Sequence, residues 1–503
     1  MAISAETFFL DPSDHGTLQA RIQQRVAEGV LSGRLRPGER MPSSRKLAAH
    51  LGVSRITVTL AYNELVANDY LRARGRSGYF VSEEAPTPRT VAEPPRPAGR
   101  PVDWTRALGH RFSDASRMGK PEDWRRFRYP FVYGQADPSL FDHQNWRLCT
   151  LKALGQRDAG ALLDDSFERD DPLLVEFLAR HTLPRRGVLA GDKEILITLG
   201  AQNALWLAAQ TLLNQRRAAA VEDPGYPGLR DILRQTRCRL SAVPVGPEGL
   251  DPAALPEGLD VVFVTPSHHC PTGATMPMAA RRALLDRAAA EDFLIVEDDY
   301  EFEMAFARPP FPALKSLDRD GRVIYVGSFS KSLFPGLRLG YVVAAEPVIH
   351  EMRALRATVL RHPPGLMQRA AAYFLSLGHY DALIRRLGRA YAHRREVMAA
   401  AVAAHGLDMA GAPDAGGSSL WLRAPDPVDT SALALALRQQ GVLIEPGAPF
   451  FADPTAPRRH YRLAYSSIPA ERIPDGVALV AAALREDGQA PNAAPQQPRS
   501  APP

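Results

Sequence analysis

The chain is poor in cysteine: three residues in 503, Cys149, Cys238 and Cys270, stand far apart with no CxxC spacing. That excludes a disulfide framework and a cysteine-ligated zinc site, and it fits a reducing compartment. No run of 18 apolar residues occurs, so no transmembrane helix is expected. The opening MAISAETFFLDPSDHG has neither a basic segment nor a long apolar core and does not read as a signal peptide. No internal repeat is present. The expectation is a cytoplasmic protein with no metal and no membrane partner.

What is present is a composition of 45% hydrophobic and 23% charged residues, that of a soluble chain able to bury a large core. A length of 503 residues calls for two or more folded units. The net charge is only +5, but residues 1–82 hold 11 Lys/Arg against 7 Asp/Glu, a net of +4, leaving +1 for the rest. The N-terminal segment is therefore the one suited to a polyanion.

Four regions are expected: a head at 12–82, a linker at 83–120, a body at 121–486 and a tail at 487–503. The stretch EEAPTPRTVAEPPRPAGRP (83–101) carries six prolines and reads as an extended, semi-rigid connection. The closing DGQAPNAAPQQPRSAPP is too polar and proline-rich to fold and reads as disordered. In the body, short apolar runs alternate with helical stretches, the pattern of an α/β fold with a largely parallel sheet. Three runs, VVFVTP (261–266), FLIVEDD (293–299) and RVIYVGSFSK (322–331), each end abruptly in polar residues. Ligands of open α/β sheets bind beyond the carboxyl ends of strands, so three strand ends converge on one candidate site.

The head reads as a mostly helical winged helix-turn-helix. In MPSSRKLAAHLGVSRITVTLAYNELVANDYL, Ser43 can cap a first helix whose apolar face uses Leu47, Ala48 and Leu51. Gly52 supplies the turn, Ser54 can cap the second helix, and Val58 is the buried β-branched residue the motif needs. The second helix then exposes Arg55, Ile56, Thr57 and Thr59 near its N-terminus, the end that recognition helices present to base edges. RARGRSGYFV follows as a basic hairpin suited to phosphates. A bare helix-turn-helix pattern is also compatible with an ordinary helical hairpin. The full array resembles the winged helix of the GntR regulators, through LRPGERMPSSRKLAAHLGVSR to the wing. That resemblance implies contacts to double-stranded DNA from Arg45, Arg55, Thr57 and the wing residues Arg74, Gly75 and Arg76.

In the body, the lysine of VGSFSKSLFPGLRLGY is the most telling residue. Lys331, just past a strand end, can form a Schiff base with an aldehyde cofactor. Arg338, seven residues on, can bind the cofactor phosphate with Ser328. Taken alone, a loop lysine beside serines is usually just solvated. Asp298 of EDDY is placed to pair with a pyridinium nitrogen, and Tyr300 to donate to a phenolic oxygen. Gly200, Ala201 and Gln202 of LGAQNALWL resemble the turn and helix start that receive the phosphate of pyridoxal 5'-phosphate (PLP) through backbone N–H groups. Tyr226 offers a ring to stack on the cofactor, and Arg462 of YRLAYSS stands where fold-type I aminotransferases hold a substrate carboxylate. A surface arginine and a core tyrosine are the plainer readings of those two.

These elements follow the order of fold-type I aminotransferases, and their union with a GntR head resembles the MocR/GabR-type regulators. TPSHHCPTG, EDDYEFE and SFSKSLFPGLRLGY carry the likeness. It implies PLP on Lys331 and a small amine or amino-acid effector that displaces the lysine as an external aldimine. It also implies a homodimer whose two heads reach two operator half-sites. Cys270 stands where an asparagine is usual, and Ala201 where a hydroxyl residue is common, so binding is expected to outweigh turnover. A working aminotransferase and a regulator of PLP itself remain alternatives. Runs such as FDHQNWRLC look most similar to the ectoine-catabolism regulators.

Overall fold

The computed structural model describes residues 2–10, 16–86, 102–109, 112, 113, 120–166, 168–307, 309, 311–411 and 416–489, with the side chains of 76, 161 and 487–489 left aside. Packing divides the chain into two units, Met1–Arg111 and Phe112–Pro503.

The first unit is built by capping and apolar spacing. Helix α1 spans Leu18–Leu31, with the Thr17 side chain accepting from Ala20 N, and buries Ile22, Val26 and Val30. Helix α2 spans Ser44–Leu51 and α3 spans Arg55–Ala67; Ser43 and Ser54 cap them as expected, accepting from Lys46 N and Thr57 N. Gly52 closes α2 at φ 65, a left-handed conformation that costs glycine little. Leu47, Val58, Ala61 and Tyr62 form the centre of the packing. Strands β1 (Leu71–Ala73) and β2 (Tyr79–Val81) pair antiparallel around a turn at Gly75–Ser77, making the wing. The core reaches further than the expected 12–82: Ala85 is buried in it, and so is Phe8, where Ile3 N bonds Arg40 O and His50 Nε2 meets Phe8 O at 2.9 Å.

Linker residues 87–101 lie outside the described residues, and after them Trp104–Ala107 makes one helical turn capped by Asp103. In the second unit, strand β3 (Tyr129–Pro130) precedes the main sheet. That sheet is formed by β4 (Ile195–Thr198), β5 (Ala218–Asp223), β6 (Arg239–Gly246), β7 (Gly249–Leu250), β8 (Val261–Val264), β9 (Leu294–Asp299), β10 (Val323–Ser328) and β11 (Gly340–Val343). Their order is β4-β11-β10-β9-β8-β5-β6-β7, with β10, β9, β8, β5 and β6 mutually parallel and β11 and β7 antiparallel to their neighbours. Alternate residues of β8 enter different cores: Val261 and Phe263 pack with the helix Ala201–Leu212, and Val262 and Val264 with the helix Met278–Glu291. Both faces are covered, which is why these strands read as unbroken apolar runs.

A second sheet, ordered β12-β13-β16-β15, joins β12 (Asp408–Met409), β13 (Ser419–Arg423), β15 (Glu445–Pro446) and β16 (His460–Ala464), all antiparallel. Strand β14 (Val442–Leu443) pairs with β3 and draws residues 129–132 toward this sheet. The last helix, Ile473–Gln489, runs three residues past the expected end of the body, and the remaining tail, 490–503, lies outside the described residues. No helix among the described residues is long and apolar enough to cross a membrane.

Candidate functional site

Five strands, β4, β5, β8, β9 and β10, deliver their carboxyl ends to one edge of the main sheet, and the loops beyond them enclose a cavity of about 300 Å³. Ala201, Gln202, Tyr226, Cys270, Asp298, Tyr300, Ser328, Lys331, Arg338 and Arg462 all line it. Gly200 adjoins them: a side chain there would press on the Arg338 guanidinium and Ser330 Oγ. Every body residue singled out from the sequence is thus brought to one place.

One end of the cavity is made by the start of the helix Ala201–Leu212. Gly200, at φ 79, caps this helix without a side-chain hydrogen bond, and Ser330 and Arg338 lie beside it. An N-terminus with free N–H groups beside an arginine is an anion cradle. Ser328 Oγ accepts from Ser330 N at 3.2 Å, and Arg338 Nη2 donates to Leu199 O at 3.2 Å. Ser330 Oγ and Asp298 Oδ1 are buried with no hydrogen-bond partner, an arrangement that costs about 1–3 kcal/mol per group unless a ligand supplies one. Asp298 is pushed up to about 8 by burial and by the charges of Asp299 and Glu222, with Lys331 opposing. Burial also pushes Glu222 up to about 7, against the hydrogen bonds it accepts from Thr265 N and Oγ1.

Lys331 follows β10 and lines the cavity. Its Nζ lies 4.1 Å from the centre of the Tyr133 ring, and Gly134 leaves the space it occupies. Burial holds this amine below its ordinary pKa, with Arg462 adding to the effect and Glu301 opposing it. A lysine so placed spends more of its time neutral and nucleophilic. Tyr133 hydrogen-bonds Tyr300 and donates to Glu301 Oε2 at 3.1 Å, and Glu301 Oε1 also accepts from Ser418 Oγ at 2.5 Å. Tyr300 therefore already has a phenolic partner within the chain.

At the far end, Arg462 on β16 is 1% exposed. Its Nε donates to Glu445 Oε2 at 2.8 Å, Tyr133 covers it at 3.8 Å, and Phe450 lies 4.8 Å away. Cys270 Sγ approaches Nη1 at 4.0 Å. Burial pushes the Cys270 thiol up to about 11, so it stays neutral and offers only a weak donor. Tyr133, Gly134, Glu301 and Glu445 escaped the sequence reading. The first two lie in a loop far upstream of the strand-end motifs, and Glu445 reaches Arg462 only through the β15–β16 register.

On the head, Arg45 and Arg55 are exposed and Ile56 is 69% exposed. Thr57 and Thr59 are half-buried rather than open as expected, because their hydroxyls are engaged locally. Thr57 Oγ1 meets Ser54 Oγ at 2.8 Å, and Thr59 donates to Arg55 O at 2.9 Å. In the wing, Arg74 lies over the Phe80 ring at 4.9 Å and pairs with Glu83 at 3.6 Å. Gly75 and Arg76 form the exposed turn, the Arg76 side chain lying outside the described residues.

Comparison with known proteins accords with this geometry. Residues 18–81 match the family described as bacterial regulatory proteins, gntR family, and residues 152–478 match aminotransferase class I and II. The HTH-type transcriptional regulator TauR of Rhodobacter capsulatus is 60% identical over 96% of this chain and 100% of its own. The probable rhizopine catabolism regulatory protein MocR of Rhizobium meliloti is 30% identical over 93% and 94%. Among solved structures, LysN, the alpha-aminoadipate aminotransferase of Thermus thermophilus complexed with N-(5'-phosphopyridoxyl)-L-leucine, superposes with a TM-score of 0.68. It is 28% identical and covers 76% of this chain and 99% of its own.

Proposed function

The chain belongs to the MocR/GabR-type GntR regulators, in which a winged helix is joined to an aminotransferase-like body, and on that premise we propose that it is a PLP-dependent, cytoplasmic transcription regulator that reads a small amine or amino acid. The observation that carries the reading is the convergence of Lys331, Asp298, Ser328, Arg338 and Arg462 on one cavity. The unpartnered Asp298 Oδ1 and Ser330 Oγ support a resident polar ligand there. PLP, when bound, supplies an aldehyde on which the Lys331 amine and an incoming primary amine can exchange.

The residues divide the work. The N–H groups at Gly200–Gln202, with Ser328 and Arg338, would hold the phosphate. Asp298 would hold the proton at the ring nitrogen, and Tyr226 would cover the ring. Tyr300 would donate to the phenolic oxygen, a task for which the Cys270 thiol is poorly suited. Arg462 takes the effector's acid group. The 60% identical relative is named TauR, and a likeness to the ectoine-catabolism regulators is the narrower reading of the effector.

The head supplies DNA contacts through Arg45, Arg55 and the wing around Arg74, Gly75 and Arg76, with Thr57 and Thr59 nearest the bases. Leu148 and Leu151, each more than half exposed on one helix, and the neighbouring Leu154 support burial of that face in a homodimer that pairs two heads on two half-sites. The regions 12–82, 83–120 and 121–486 act as reader, connection and sensor. An effector shifts DNA binding only by its differential affinity for two states of the body.

A DNA-binding titration of the PLP-loaded full chain against a panel of small amino acids tests this. At least one amine shifts the visible absorbance and the operator affinity together, and both responses vanish in Lys331→Ala. A DNA response that persists in Lys331→Ala overturns the reading, and sustained turnover at roughly 1 per second or faster makes the protein an aminotransferase.

A further inference from the structure

The Arg462 guanidinium already has a carboxylate. Glu445 is its cross-strand partner in the β15–β16 register, and the ion pair closes at 2.8 Å inside the wall of the cavity. The two partners differ in freedom: the Arg462 side chain is 1% exposed, and that of Glu445 is 20% exposed. Tyr133 lies over the guanidinium and Phe450 nearby, Nη1 faces the neutral Cys270 thiol, and Glu445, paired at Nε, is a carboxylate that offsets this buried charge. A charge so far from water holds a counterion strongly and is costly without one.

We infer that Glu445 is a resident counterion that the acid group of an effector must displace from Arg462, and that it thereby sets which acids the site accepts. The inference rests on the reading of this cavity as the effector site. Arg462 is fixed by its packing, so Glu445 is the partner that turns toward the cavity mouth when an external acid arrives. Two consequences follow from charge alone. A monoacid recovers only the difference between its own pairing with Arg462 and that of Glu445, so binding is weak and readily reversed. A second acid group on the ligand meets the displaced Glu445 carboxylate, and like charges so close are unfavourable. The site therefore favours monoacids over dicarboxylates.

The probes are propionate and succinate, which carry no amine and so act independently of Lys331. Their binding to the PLP-loaded full chain is followed by calorimetry. Glu445→Gln keeps the shape and removes the charge; it tightens propionate by roughly tenfold or more, and the preference of propionate over succinate narrows. Glu445→Asp, which keeps the charge, stays near the wild type in both respects. A merely structural role for Glu445 would weaken binding in the glutamine variant, because losing a structural contact does not raise affinity. Propionate binding that is abolished by Arg462→Ala but unchanged or weakened in Glu445→Gln overturns this inference and leaves the effector site standing. Binding indifferent to Arg462→Ala overturns both. Failure of propionate to bind either the wild type or Glu445→Gln also overturns the inference.

Discussion

The two ends of the cavity solve opposite problems. At the Lys331 end, buried polar atoms are left without partners: Asp298 Oδ1 and Ser330 Oγ are unpaired, and Asp298 is pushed up to about 8. At the Arg462 end, the strongest charge is already paired, by Glu445, and packed beneath Tyr133. Unpaired groups make an empty site unfavourable and so suit a permanent occupant. A site that carries its own counterion is stable when empty and suits an occupant that comes and goes. One cavity can in this way hold a cofactor tightly and an effector loosely, as a sensor requires.

Asp298→Asn gives the strongest test of the first half of that contrast. It removes the carboxylate that would pair with the ring nitrogen, and cofactor affinity should fall by about 3–5 kcal/mol, read by PLP titration. The same residue sets a pH dependence. Without cofactor, its folded value of about 8 stands above the ordinary carboxylate value of about 4, so the folded chain retains a proton that the unfolded chain releases. The contribution is therefore unfavourable to folding as pH rises: stability of the cofactor-free protein declines from about pH 4 to about pH 8 and then levels off. Thermal melts across that range should show a shallower decline in Asp298→Asn. An unchanged slope would mean that Asp298 is not the group responsible.

Arg462→Ala probes the other end. It should weaken an acid-bearing effector by at most about 1.5–3 kcal/mol, the worth of a charge-assisted hydrogen bond, because Glu445 offsets part of the pairing, and leave PLP bound with its absorbance unaltered. Loss of PLP from this variant would erase the distinction between the two ends. The smallest effect is expected from Gly134→Ala. At φ 69 an alanine costs about 1 kcal/mol, and its Cβ would collide with Lys331 Nζ. Because the lysine tip can move aside, the protein should stay folded while borohydride trapping of the cofactor slows. Trapping at the wild-type rate would show that the Gly134 contact does not position the amine.

Legibility in the sequence followed the same division. The head was readable because its determinants are local: Ser43, Gly52 and Ser54 cap helices within a few residues of themselves, and each does so as the pattern implies. The Lys331 end was readable because apolar strands stop abruptly at Asp298, Ser328 and the turn before Cys270, and adjacent parallel strands must bring such ends together. At the Arg462 end only the arginine itself stood out. Glu445 acquires its role from strand pairing, and Tyr133 from β3 lying along β14, neither of which a linear pattern encodes. The head's N-terminal edge was missed for a similar reason: Phe8 joins the core through a hydrogen bond to His50 across 42 positions. The local hydroxyl bonds of Thr57 and Thr59 are not legible in the sequence, because a position near a helix N-terminus does not say whether a side chain turns back onto its own helix.

The central claim is that Lys331 holds the cofactor. Borohydride reduction of the purified full-length protein, followed by peptide mapping, tests it most directly. The account predicts a single phosphopyridoxyl adduct on the peptide containing Lys331, absent from a folded Lys331→Ala protein. An adduct on any other lysine, or none after incubation with PLP, would contradict it.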